Sequence, residues 1–373
     1  MKILHVVPSY KPAYVYGGTI ESIARLCEGL ANAGHYVKVF TTTANGKEEL
    51  ALEPNSEHII DGVHVVYFRR IFKDPFYISP ALSKQLKQDC KNYDVVHIHS
   101  WWNMIVIRAA FICKKEKIKY IISPHGMMSD YILQHSKRIF KWLGHFVIGK
   151  SLLQTSLYHA TSNAESAECN NFIPEWNGFM IPNIVTLPSI NISKPQHTHF
   201  TIIFLSRIHP KKGIEILMEA ISLIHDKPIL QIAGSGEEKY IQKLKQKAND
   251  LGIAKHVEWL GWQDRDEKFS TLMKADLFAL TSYNENFGNV VIEALHSGVP
   301  VLVSENTGLS DFVGTQNLGW VCLPTVTDIK SKLEEAIHNK SKREEISKSA
   351  PLKIHDYFSE KRLIPEYVTR YQS

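Results

Sequence analysis

The chain has 373 residues, enough for two globular domains of ordinary size. Hydrophobic residues make up 44% and charged residues 22%, which excludes a disordered or fibrous chain. Lys and Arg number 43 against 38 Asp and Glu, and the resulting formal charge of +5 is too small for a dedicated nucleic-acid binder but compatible with anionic ligands or lipid surfaces.

The first apolar run is broken by His5 and Pro8 before it reaches signal-peptide length, so it reads as a strand at 2–7. Short β-branched runs predict further strands at 35–42, 63–68, 94–100, 120–123 and 157–161. An amphipathic helix is predicted over 19–32, with Ile23, Leu26 and Leu30 on one side. The stretch 181–200, with Pro182, Pro188 and Pro195, reads as a linker. Beyond it the same alternation restarts, with strands at 201–205, 229–233, 256–260, 277–280 and 299–303. The class is therefore α/β, with two doubly wound parallel sheets whose ligands belong at the carboxyl ends of the strands. Five scattered cysteines without a CxxC, an odd number, predict reduced thiols and a cytoplasmic protein. The candidate span 101–113 carries Asn103 and Arg108, so no transmembrane helix is expected.

The most informative stretch follows the strand at 277–280, where Glu285-Asn286-Phe287-Gly288-Asn289 precedes Val290-Val291-Ile292-Glu293-Ala294-Leu295. A helix starting near Gly288 would put Glu285 before its N-terminus and Glu293 just over a turn inside, both bordering an anion-binding helix end. Buried in so apolar a helix, Glu293 needs a hydrogen-bonding partner, and a ligand diol would serve; the alternative is a helix-capping Glu285 and a satisfied structural Glu293. After the strand at 201–205 come Arg207 and Lys212 in Ser206-Arg207-Ile208-His209-Pro210-Lys211-Lys212-Gly213. An arginine fork and a lysine point charge can neutralise a diphosphate without a metal. Cations for phosphates and carboxylates for hydroxyls together describe a site for a nucleotide-diphosphate sugar.

These residues, with Ser297-Gly298-Val299-Pro300-Val301, the Gly17-Gly18 loop, Ser123-Pro124-His125-Gly126-Met127, His159-Ala160-Thr161-Ser162 with Glu165, and Ile181-Pro182-Asn183, resemble glycosyltransferase family 4 over nearly the whole chain. The resemblance implies the GT-B fold: an acceptor-side domain at 1–185, a nucleotide-sugar domain at 186–357, and a final helix within 358–373 crossing back to the first. It also implies a retaining, metal-independent transfer to a glycan or lipid-linked saccharide, with no cofactor beyond the donor itself. Arg207 and Lys212 are assigned to the donor diphosphate, Glu285 to the donor sugar, Glu293 to the ribose and His125 to the transferred sugar. Gly17 and Gly18 would let backbone approach the phosphates, and Gly234, Asn286, Phe287, Gly288 and Asn289 complete the expected donor set. At Thr307-Gly308-Leu309 the chain departs from the paired glycines of many members.

Other residues carry competing readings. His97 and His99 share one face of a strand, a spacing that suits metal ligands, but with no third ligand evident they read as packing. Asp264-Arg265-Asp266 matches a metal-binding DxD string and reads instead as a helix N-cap. Ser162 and Glu165 have capping-box spacing. Over 137–150, Ile139, Trp142, Leu143, Phe146 and Val147 alternate with Arg138, Lys141 and His145, either as a core-facing helix or as one resting on anionic lipid near the acceptor. An epimerase of the same fold and a non-catalytic two-lobed sugar binder are the alternatives at the level of function.

Overall fold

The computed structural model describes residues 1–71, 77–135, 149–185, 187–189 and 199–373. Residues 137–148 of the predicted amphipathic helix lie outside that set. The chain divides into two compact units, Met1–Ile184 with Glu360–Ser373, and Val185–Ser359.

The first unit contains β1 (Lys2–Val6), β2 (Tyr36–Thr42), β3 (Ala44–Asn45), β4 (Glu48–Glu49), β5 (Glu57–Ile60), β6 (Val63–Phe68), β7 (Val95–His99), β8 (Tyr120–Ser123), β9 (Leu157–Ala160) and β10 (Gly178–Met180). Eight of them form one sheet in the order β10-β9-β8-β7-β1-β2-β6-β5, parallel except for the β5–β6 pair. The centre of the sheet is covered on both faces, so β7 is buried throughout, although His97 and His99 interrupt its apolar Val95, Val96 and Ile98. Alternate residues still go to opposite faces. Val96, Ile98 and Ile122 join one core cluster, while Ile3, Val95 and Ile121 join another with Leu363, Tyr367 and Tyr371 of the final helix Glu360–Gln372.

The second unit contains β11 (Thr201–Leu205), β12 (Ile229–Ala233), β13 (Val257–Gly261), β14 (Leu277–Leu280), β15 (Val301–Ser304) and β16 (Gly319–Cys322), all parallel, in the order β13-β12-β11-β14-β15-β16. Its connections run outward from β11 in one direction and from β14 in the other, so the loops leaving these neighbouring strands diverge. The gap between diverging loops is where open α/β sheets bind ligands. In the first unit the corresponding gap lies between β1 and β7.

Among the described residues no helix is long and apolar enough to cross a membrane. All five cysteines are buried free thiols.

A charged and a neutral site at two strand-end gaps

In the second unit the loops after β11 and β14 bring the expected charged residues together. Pro210–Lys212 forms a single 3₁₀ turn, stopped by Gly213, whose φ of +67° suits glycine. A Cβ on Gly213 would stand 2.1 Å from the Thr281 carbonyl oxygen, so this turn approaches β14 as closely as backbone allows. Tyr283 N–H donates to the Lys211 carbonyl at 2.8 Å, tying the two loops directly. As a result the Lys212 ammonium forms an ion pair with the Glu285 carboxylate, with side chains only 10% and 17% exposed. Burial alone pushes the Glu285 carboxyl up, but Lys212, then Lys211 and Arg207, outweigh it and hold it below its usual value. Burial pushes the Lys211 ammonium down, a tendency Glu285 opposes and Lys212 and Arg207 reinforce. Arg207 is exposed in the same loop. Three cations therefore surround one carboxylate.

Glu285 is held from behind by backbone, its N–H donating to the Asn306 carbonyl at 2.9 Å and its carbonyl accepting from Gly308 N–H at 2.8 Å. Gly288, at φ +90°, caps the helix Asn289–His296, close to where the sequence places its start. Inside that helix Glu293 is buried, and Lys268 of the helix Arg265–Met273 donates to it at 2.6 Å. This is the partner its apolar surroundings require. The sequence reading missed Lys268, which is 25 residues from Glu293 in the chain. Asp264 and Glu267 form a reciprocal capping box at 2.9 and 3.2 Å, in keeping with the N-cap reading of Asp264.

Two members of the expected donor set are used by the protein itself. The Phe287 side chain is 3% exposed and meets Phe358 edge-on in the core, so it anchors the loop rather than presenting a ring to a ligand. At Gly234 a Cβ would fall 1.9 Å from the Ser206 carbonyl oxygen, and the glycine is required by packing of the β12 loop on the β11 loop. Asn286, in the loop, and Asn289, the first residue of the following helix, are half-buried.

The first unit has a different chemistry at the same place. After β1 the chain reaches Gly17, at φ +82° and ψ −155°, and enters the helix Gly18–Asn32. Both glycines are exposed, and a Cβ on Gly17 would meet nothing within 4 Å, which leaves the loop open to an approaching group. His125 follows β8 and takes φ +52°, an uncommon conformation for a residue with a side chain, followed by Gly126 at +77°. Glu165 fixes this turn: one carboxylate oxygen accepts Gly126 N–H at 2.7 Å, the other accepts Thr161 N–H at 2.7 Å and Thr161 Oγ1–H at 2.8 Å. Ser162 caps the helix Asn163–Phe172 by accepting from Glu165 N–H.

Behind His125 lies a cluster of buried imidazoles. His5 pairs in register with His97, and His99 with Ser123, so parallel register alone puts His5, His97 and His99 on one face. The third imidazole that the sequence lacked is therefore His5, and ring nitrogens of the three lie within 4.8 Å of one another. Both His97 nitrogens are already engaged, at 2.6 Å from Tyr371 Oη and 2.6 Å from Ser123 Oγ. Proton order along this line follows from one fixed point. His159 Nε2 faces the Ile181 carbonyl at 2.8 Å and must donate to it, which leaves Nδ1 bare. Ser123 then donates to His159 Nδ1 at 2.6 Å and accepts from His97 Nε2–H, and Tyr371 donates to His97 Nδ1. Burial first, then neighbouring imidazoles, push His97 well below its usual pKa, and burial pushes His159 down to about 4. The rings are neutral, as this order requires.

Comparisons with known proteins agree with this division. Residues 16–187 match the family model Glycosyltransferase Family 4, and residues 188–353 match Glycosyl transferases group 1. An uncharacterised glycosyltransferase of Methanocaldococcus jannaschii is 28% identical over 100% of this chain and 98% of its own length. The lipopolysaccharide core biosynthesis glycosyltransferase LpsE of Rhizobium meliloti is 33% identical over 29% of this chain and 30% of its own. Anabaena HepE, solved in complex with UDP, superposes with a TM-score of 0.78 over 100% of both chains at 19% identity. Two sheets of dinucleotide-fold strand order, each carrying its own family match, make the chain a member of glycosyltransferase family 4 with the GT-B fold.

Proposed function

We propose that this glycosyltransferase takes its sugar from a nucleoside-diphosphate donor and transfers it with retention, without a metal or other cofactor. The observation that carries this reading is the buried Lys212–Glu285 pair at the gap between β11 and β14, with Lys211 and Arg207 beside it. Their excess positive charge matches a diphosphate, and Lys212 would exchange Glu285 for phosphate oxygens as the donor enters. That HepE was solved with UDP supports the same donor class.

In the reaction, the bond from the anomeric carbon to the diphosphate oxygen breaks with both electrons leaving on the phosphate, where Lys212 and Arg207 stabilise the developing charge. The acceptor hydroxyl attacks from the face the diphosphate leaves, and its proton passes to the departing phosphate oxygen. Glu285 orients the donor sugar, Glu293 the ribose, and His125 contacts the transferred sugar. The acceptor is a glycan or lipid-linked saccharide of cell-surface polysaccharide assembly, a reading supported by the match to LpsE. Contact with an anionic membrane through residues 137–150, on the inner face of the membrane, belongs to the same proposal. The anomeric proton coupling of the product, read by NMR, tests the mechanism: the donor's own configuration is expected, and the inverted one would overturn it.

A further inference from the structure

The imidazoles not used by the Ser123 line form a second one that ends at His125. His125 Nε2 lies 3.1 Å from His99 Nδ1, and His99 Nε2 lies 2.9 Å from His5 Nδ1. Stacking supports the geometry, with His99 and His125 inclined by 13° and His5 and His99 by 16°. At the far end His5 Nε2 is buried without a partner among the described residues. Burial pushes His5 down to about 3 and His125 to about 4, and it pushes His99 well below its usual value, with His97, His5, His125 and His159 adding to the effect.

Each neutral ring has one N–H and one bare nitrogen, so the three can align in only two ways. If His125 Nε2–H donates inward, His99 donates to His5 and His5 Nε2–H is a buried donor with nothing to receive it. If the order is reversed, His5 Nδ1–H donates to His99 Nε2, His99 Nδ1–H donates to His125 Nε2, and the atom left over is only a lone pair. Orphaned buried donors are rarer than under-satisfied acceptors, which favours the second order.

We propose that His99 and His5 are positioning residues that fix His125 as its Nδ1–H tautomer, so that Nδ1, the nitrogen turned away from His99, donates a hydrogen bond to a hydroxyl of the transferred sugar. The tautomer belongs to the unliganded protein; the contact with sugar rests on the function proposed above. A metal ion on the His5, His97 and His99 trio is the competing use of these side chains. It would have to displace one of the His97 bonds, to Tyr371 or Ser123, and one of the His99 bonds, to His5 or His125.

Long-range ¹H–¹⁵N spectra of the full chain labelled with ¹⁵N-histidine read the tautomer directly, with the His125 signal assigned by its loss in His125→Asn. The expected result is a proton on His125 Nδ1 and a bare Nε2. In His99→Leu that single tautomer should give way to a mixture, with kcat down about ten-fold and the donor KM within roughly two-fold. In His99→Asn the amide stands near the position of Nδ1 and should restore both signal and kcat. Packing alone predicts the opposite order, because a buried amide fits an apolar site less well than leucine. An Nε2–H tautomer in the wild-type chain would overturn the relay and leave the transferase reading intact. Full kcat in His99→Leu with the tautomer mixed would instead remove His125 from the reaction centre. Stoichiometric Zn²⁺ binding that replaces the His5 and His99 signals would also overturn the relay, in favour of a metal site. If His99→Leu does not fold, the wild-type tautomer and His5→Leu decide the matter.

Discussion

The two units share a central strand order and place their candidate residues at equivalent gaps, yet one gap is built on ion pairs and the other, apart from the Glu165 carboxylate that fixes the His125 turn, on neutral imidazoles. Beside β14 the protein holds Lys212 against Glu285 and Lys268 against Glu293, four charges with little exposure. Beside β7 it holds His5, His97, His99 and His159, with Ser123 and Tyr371, all buried and all uncharged. The fold decides where a ligand goes, and the residues at the strand ends decide which half of a reaction each unit can serve. A charged gap suits a leaving diphosphate. A neutral, hydrogen-bonded one suits hydroxyls whose orientation matters more than their charge.

Acid should separate the two regions most strongly. The folded pKa values of His5, His125 and His159 lie at about 3, 4 and 4, and those of His97 and His99 are also well down, all below the unfolded value. Their contribution is therefore present above pH ~6.5 and is lost progressively as pH falls toward 4. Urea unfolding at pH 7.5 and 5.5 should show the first unit losing stability in this window, and an unchanged midpoint would break the claim of a neutral cluster.

The charged gap should answer to single side chains. Lys212→Ala is expected to lower turnover by roughly ten- to a thousand-fold, a loss of ~1.5 to 4 kcal/mol of charge-assisted stabilisation. Steady-state kinetics at saturating donor checks this, and wild-type turnover would remove Lys212 from the site. Gly213→Ala should destabilise the second unit by roughly 3 kcal/mol, through its Cβ clash with Thr281 and its positive φ, measured as a lowered urea midpoint. Lys268→Ala leaves Glu293 buried without that partner and should destabilise by about 1 to 3 kcal/mol. The smallest effect is expected from excess chelator, which should leave turnover unchanged; a chelator-sensitive rate would return attention to Asp264 and Asp266.

What the sequence made legible follows burial. Strands in the interior of either sheet lie within a residue or two of their predicted bounds, and β6, β8, β11, β12 and β14 match them at both ends, because covered strands are written as short, mostly apolar runs. The main-sheet strands that went unpredicted, β5, β10 and β16, are all edges, where short length and one open side weaken the pattern. At the charged gap the motif residues were legible, since Arg207, Lys212 and Glu285 sit in loops directly after strands. Lys268 was not, because its only mark is a position on a helix far from Glu293 in sequence. The neutral cluster was half legible. His97 and His99 show a period of two, but His5 joins them through the register of β1 on β7, and no local pattern records register. The core packing of the Phe287 ring was not legible, because a core aromatic and a ligand-facing one look alike inside a motif.

Binding of nucleoside diphosphates, measured by calorimetry in the presence of chelator, tests the central claim most directly. The account predicts that at least one diphosphate of a four-base panel binds, that its affinity falls as salt rises, and that Lys212→Ala weakens it at least ten-fold while His99→Leu leaves it unchanged. Equal binding by Lys212→Ala and the wild-type chain, or no binding by any member of the panel, would contradict it.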